Sequence, residues 1–251
     1  MAVPRLLRLE HGPDALVLVR HGESVGNVAD REARERGDER LDLKARDADV
    51  ELSEVGRRQA AALGRWLADD PGRGPTVVLS SPYERALATA RTAVEDLDLD
   101  VIVDERLRER DLGLFDGLTG AGIRARYADE AERRAKVGKF YYQPPSGESW
   151  ADVVLRVRSL LGDLREGMEG ERVWIFSHQA VIMSLRYVLD GLDEEEILAV
   201  EKEQPIANVS LTTYRQADGG LRLESFADTS VVDAADVDAT HEQPASGDAH
   251  D

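Results

Sequence analysis

Apolar residues in this chain gather into short runs separated by segments with helical spacing. Four runs, at residues 16–19, 76–79, 101–103 and 173–176, lack the polar alternation of a half-exposed strand. Runs of that kind predict strands buried on both faces of a parallel sheet. Ala60, Leu63 and Leu67 follow Ser53 at helical spacing, and serine suits a helix start because its hydroxyl accepts from a free backbone N–H. Ser81-Pro82 opens a second helix, with Ser as cap and Pro at the first helical position. Residues 150–164 and 181–189 supply two more. Residues 209–214 and 221–226 flank Asp218-Gly219-Gly220 and predict a hairpin. The polar stretch 27–50 predicts a helix plus a loop over one edge. Strand alternating with helix predicts an α/β fold, a three-layer α/β/α sandwich with a mostly parallel central sheet. Residues 117–147 break that rhythm and are expected to form a helical lid insertion.

The 251 residues suit one α/β domain, here assigned to 1–226. Lys and Arg number 32 against 50 Asp and Glu, a net charge of −18, which repels nucleic acid and anionic membrane. Seven of those acids, and no Lys or Arg, fall in residues 227–251, so that stretch is expected to be a disordered acidic tail. Cysteine is absent, which excludes disulfides and thiol chemistry. Arg5, Arg8 and Glu10 interrupt any apolar leader, and no window has the length of a membrane span. The expectation is a cytoplasmic monomer or homodimer.

Three strand-to-helix junctions concentrate the candidate chemistry. The first strand ends in Arg20-His21-Gly22-Glu23-Ser24-Val25-Gly26-Asn27, the second in Ser80-Ser81-Pro82-Tyr83-Glu84-Arg85, and the fourth in Ser177-His178-Gln179-Ala180. Right-handed crossovers make these strands parallel, so the junctions emerge at one sheet edge, where open α/β sheets bind ligands. Arg20, His21, Arg85 and His178 would share a crevice there. A neutral imidazole is a good nucleophile near pH 7, and a guanidinium fork neutralises phosphate oxygens. The third strand leads into Leu107-Arg108-Glu109-Arg110-Asp111. One carboxyl group there would protonate a departing alkoxide and then deprotonate water; Glu109 is the candidate, with Asp111 as a substitute.

The pattern Arg-His-Gly-Glu-Ser-x-x-Asn resembles the signature of the histidine phosphatase superfamily (phosphoglycerate mutase-like proteins). The blocks at 52–56, Ser80-Ser81-Pro82 with Arg85, Leu107-Arg108-Glu109, 145–149 and Ser177-His178-Gln179-Ala180 follow in the family's order. The resemblance implies that His21 is phosphorylated and that Glu109 is the general acid and base. It implies a phosphate pocket of Arg20, Asn27, Arg85 and His178, with Ser24 and Gln179 as secondary candidates. Such a pocket takes a small phosphate ester and needs neither metal nor cofactor, because its cations supply the charge. The lid carries Arg124, Arg126, Arg133, Arg134, Lys136 and Lys139, either a grip for a second anionic group or a solvated helix. Mutase-type relatives continue past the catalytic acid with an aromatic-Gly-Gly stretch, whereas this chain has Asp111-Leu112-Gly113-Leu114. The expected activity is therefore a phosphomonoester hydrolase. The alternatives are a cofactor-dependent phosphoglycerate mutase and a non-catalytic phospholigand-binding homologue.

Overall fold

The computed structural model describes residues 12–70, 72–217 and 219–241. The leaderless reading of residues 1–10, the hairpin-turn residue Asp218 and the end of the acidic tail lie outside them. Fifteen regular elements are described: β1 (Ala15–Arg20), α1 (Val25–Arg36), α2 (Glu54–Asp69), β2 (Val77–Ser80), α3 (Glu84–Ala93), β3 (Val101–Val103), α4 (Gly120–Arg126), α5 (Ala128–Val137), α6 (Trp150–Gly167), β4 (Arg172–Ser177), α7 (Gln179–Asp190), α8 (Glu194–Glu203), β5 (Leu211–Ala217), β6 (Gly220–Asp228) and α9 (Ser230–Ala234).

The six strands form one sheet in the order β3-β2-β4-β1-β5-β6. β1, β2, β3 and β4 run parallel, and β5 and β6 add an antiparallel margin. Alternation along β1, β2 and β4 divides their apolar side chains between two cores, whereas Ile102 and Val103 of β3 are exposed. Leu16, Leu18, Val173 and Ile175 pack with Val153, Val157, Val181 and Leu185 of α6 and α7. Val17, Val19, Val78, Trp174 and Phe176 pack with Leu63 and Leu67 of α2 and Ala90 of α3. Each buried aliphatic side chain contributes about 1.5–3 kcal/mol, so this two-sided burial holds the three layers together. All four runs form strands and the fold is the α/β sandwich expected. The expectation of two-sided burial fails for 101–103, because β3 is the outermost strand of the sheet and less of the helical layers covers it.

Two boundaries differ from expectation. Ser53 caps α2 as predicted, accepting from Gly56 N–H. α3 starts later than predicted: its cap is Tyr83, and the Ser81 hydroxyl accepts from Tyr83 N–H in the turn before the helix. Residues 227–241 are not a disordered tail. Ala227 and Asp228 finish β6, and α9 then buries Val231 and Val232 in the same core as Leu63 and Leu67. Asp233, Asp236 and Asp238 remain exposed. Two valines are enough to dock the segment because its acids face water, a pattern that average composition conceals.

Residues 117–147 hold α4 and α5 as expected, over a small core of Phe115, Leu118 and Tyr142. Among the described residues, no helix is long and apolar enough to cross a membrane.

Candidate active site

The ladder of the central strands continues past their carboxyl ends and aligns the junctions. His21 N–H donates to Ser177 O at 2.9 Å, Ser81 N–H to Phe176 O at 2.9 Å and Asp104 N–H to Ser80 O at 3.0 Å. His21 and His178 thereby face each other with ring centroids 5.1 Å apart, and the Tyr83 ring meets His178 edge-on at 5.3 Å. His21 is 3% exposed and His178 fully buried.

Local bonds select the reactive form of His21. Its Nδ1 lies 2.7 Å from Gly22 O, which accepts only if Nδ1 carries the proton. The lone pair is then on Nε2. Burial, followed by the Arg85 and Arg20 charges, holds its pKa well below the usual imidazole value, against the opposing Gly22 bond. The ring is therefore neutral at pH 7. His178 is depressed for the same reasons: burial first, then Arg85, His21 and Arg20. Its Nε2 pairs with Ser81 Oγ at 2.8 Å, while its buried Nδ1 has no hydrogen-bond partner among the described residues. Since Ser81 Oγ already accepts from Tyr83 N–H, its proton is available to His178 Nε2. That tautomer leaves Nδ1–H as a donor.

Both arginines are locked by backbone. Arg20 is buried, and its guanidinium donates to Ile206 O and, at 3.3 Å, to Gln179 Oε1. Gln179, the first residue of α7, thus aims Arg20. Arg85 is 5% exposed and lies 5.1 Å from the Tyr83 ring centroid. Its NH1 donates to Asp47 O at 2.6 Å and meets Asp47 Oδ1 at 2.9 Å. Thr89, one turn after Arg85, donates to Arg85 O at 2.6 Å and accepts from Gly22 N–H at 3.0 Å, joining α3 to the histidine turn.

The turn after β1 approaches α2 so closely that glycine is needed on both sides. A Cβ on Gly22 would stand 2.7 Å from Gly56 O, and one on Gly56 would stand 2.0 Å from Glu23 O. Ser24 and Asn27 form the capping box of α1: Asn27 Oδ1 accepts from Ser24 N–H at 2.9 Å, and Ser24 Oγ accepts from Asn27 N–H at 3.1 Å. Their spacing is that of a helix capping box.

Glu109 sits half-buried in the loop after β3, its Oε1 accepting from Arg110 N–H at 2.7 Å. It and Asp111 both contribute to raising the Tyr83 pKa, after burial and Asp47. Asp111 is exposed, and its Oδ1 accepts from Gly113 N–H at 2.7 Å in a local turn. Glu148 ties this loop down. Its carboxylate takes Arg108 at 2.6 Å, Arg156 at 3.1 Å and Asp111 N–H at 3.1 Å.

In the lid, Arg126 pairs with Glu39 at 2.7 Å and Lys139 with Glu201 at 2.6 Å, so these two of its cations meet carboxylates of the protein. Sequence reasoning missed Asp47 and two buried amides, Gln59 and Asn208, and gave no role to Thr89 or Glu148, which lie in recognised blocks. Asn208 Nδ2 donates to His21 O at 2.8 Å. Its neighbour Val209 holds φ at +56°, a strained conformation for a β-branched residue, while Val209 N–H donates to Arg20 O at 2.9 Å. No periodicity marks such residues, since each reaches the site from a distant element. Among the described residues no group of three or more His, Asp or Glu is arranged to hold a metal ion.

Comparison with known proteins agrees with this geometry. A profile described as histidine phosphatase superfamily (branch 1) matches residues 16–229. A bifunctional protein of Mycobacterium tuberculosis (strain ATCC 25618 / H37Rv) is 38% identical over 185 residues, covering 71% of this chain and 45% of that protein. The chain thus spans about half the length of that curated relative. A 2,3-bisphosphoglycerate-dependent phosphoglycerate mutase of Methylorubrum extorquens (strain PA1) is 31% identical over 228 residues, covering 89% of this chain and 97% of the relative. A solved mycobacterial glucosyl-3-phosphoglycerate phosphatase complexed with VO3 superposes with a TM-score of 0.68 at 31% identity, over 86% of this chain and 100% of that one.

Proposed function

Because this chain belongs to branch 1 of the histidine phosphatase superfamily, we propose that it hydrolyses phosphate monoesters through a phosphohistidine on His21. The observation that carries the proposal is the Nδ1–Gly22 O bond in a pocket holding two arginines, which leaves Nε2 as a neutral nucleophile facing positive charge. Nε2 attacks phosphorus as the ester P–O bond breaks. Glu109 gives its proton to the leaving oxygen and becomes a carboxylate. It next takes a proton from water, whose oxygen attacks the phosphohistidine, breaks the N–P bond and releases inorganic phosphate with neutral His21. Arg20, Arg85 and His178 Nδ1–H offset the charge on the equatorial oxygens, and Asn27 is a further candidate donor. Positioned charge of this kind is most of what phosphoryl transfer requires of a protein.

Phosphoglycerate mutase is the second reading, favoured by the relatives of that name. Phosphate release from an aryl phosphate in EDTA distinguishes them. We expect turnover by the wild type, none by His21→Ala, and a loss of about 10²–10³-fold in Glu109→Gln that is greatest for alkyl esters with poor leaving groups. No release, with conversion of 3-phosphoglycerate when bisphosphoglycerate is present, would select the mutase. Equal rates on alkyl esters in Glu109→Gln would remove Glu109 as the acid.

A further inference from the structure

The turn that carries His21 is held at both ends by buried amides. Asn208 Nδ2 donates to the His21 carbonyl at 2.8 Å, and Glu23 N–H donates to Gln59 Oε1 at 2.8 Å. A carboxamide has a donor side and an acceptor side, so it holds its partner only when turned the right way. One hydroxyl bridges the two, setting the direction of Asn208 and helping Asp238 O to set that of Gln59. Thr240 Oγ1 accepts from Gln59 Nε2 at 3.1 Å and donates to Asn208 Oδ1 at 2.9 Å. Backbone from the same segment reinforces the pair: Asp238 O accepts from Gln59 Nε2 at 2.7 Å, and Thr240 O accepts from Asn208 N–H at 2.9 Å. Turned over, Asn208 would set oxygen against the His21 carbonyl, and Gln59 would set N–H against the Glu23 N–H.

We propose that residues 237–241 form a strap and that Thr240 is a positioning residue for the phosphoryl pocket. It acts through Asn208 and Gln59 on the turn 21–23. The same turn contains the Gly22 carbonyl that sets the His21 tautomer, so movement of its backbone rotates the nucleophile. Val237 and Ala239 pack against the core that contains α9, which anchors the strap on either side of Asp238. The family profile ends at residue 229, so the strap lies beyond the part of the chain that matches it. In its catalytic consequence the proposal rests on the hydrolase reading above.

The test compares full-length Thr240→Val, which keeps the shape and loses the hydroxyl, with Thr240→Ser, which keeps the hydroxyl. Two quantities are read: aryl phosphate kinetics and amide hydrogen exchange at Glu23. Thr240→Val is expected to lower kcat about tenfold with KM within about twofold, as small misplacement of a reacting group does, and to speed Glu23 exchange about tenfold. Thr240→Ser should match the wild type within about twofold in both. A Thr240→Val protein unchanged in either quantity, or a Thr240→Ser protein as impaired as Thr240→Val, would overturn the proposal. Should Thr240→Val not fold, Asn208→Asp, which keeps the shape and removes the donor to the His21 carbonyl, is read in the same way. A wild type without turnover would refute the hydrolase reading alone, and Glu23 exchange then decides the strap.

Discussion

Asp47 sets the electrostatic surroundings of Arg85, the arginine proposed to bind the phosphoryl group. Its backbone oxygen and carboxylate both occupy Arg85 NH1, on an arginine that is otherwise buried. An incoming phosphoryl group meets a cation whose charge is partly neutralised by a carboxylate of the protein. Removing that charge with Asp47→Asn is worth about 1 kcal/mol across a partly solvated gap, or roughly fivefold in affinity. The inhibition constant of inorganic phosphate against an aryl phosphate should therefore fall by about that factor. A weaker constant would mean that Asp47 chiefly orients Arg85. At this scale the sequence revealed Arg20, His21, Arg85 and His178, because each stands within a few residues of a recognisable strand end. Asp47 lies in a polar loop with no period, and its partner is visible only in the folded chain.

The loop bearing Glu109 is positioned by α6 and the residues just before it. Glu148 accepts from Arg108 and Arg156 together, and Arg156 also reaches the Arg106 and Glu109 carbonyls. Neutralising Glu148 leaves the largely buried Arg156 and the partly exposed Arg108 without their carboxylate. Glu148→Gln should cost about 3 kcal/mol, read from urea denaturation, and should slow alkyl more than aryl esters, since the displaced group is the proposed proton donor. A variant as stable as the wild type, with an unchanged leaving-group dependence, would show that the loop is held elsewhere. The 145–149 block was recognisable from its order in the chain, but its task was not, because that depends on α6 lying under the loop after β3. The start of α3 was misplaced for a related reason: the Ser81 hydroxyl serves the turn and His178 rather than the helix.

Two buried imidazoles make the stability of the whole molecule depend on pH. Both are held below the ordinary value, chiefly by burial and then by Arg85. The unfolded chain binds protons at these sites below about pH 6.5, whereas the folded chain does not. Unfolding therefore takes up protons, and stability is fully present near pH 7 and falls as pH drops. The slope approaches about 2.7 kcal/mol per pH unit for two groups. Urea midpoints at pH 7.5, 6.0 and 5.0 should fall in that order, less steeply in His178→Gln. Midpoints that do not move would mean that the folded pocket accepts the protons. The layers and strand ends were legible because apolar runs carry a strong period. α9 and the strap were not, because two valines and one threonine within an acidic stretch leave no periodic trace.

β1 is flanked by β4 and β5, both of which are encoded far downstream. At ribosomal rates of about 5–20 residues per second, β1 emerges roughly 10–30 s before its nearer partner is synthesised. During that interval the apolar edge of residues 15–19 has no native strand on either side. The nascent chain thus carries His21 beside an unpaired apolar segment, and the hazard lies in biosynthesis rather than in the finished fold.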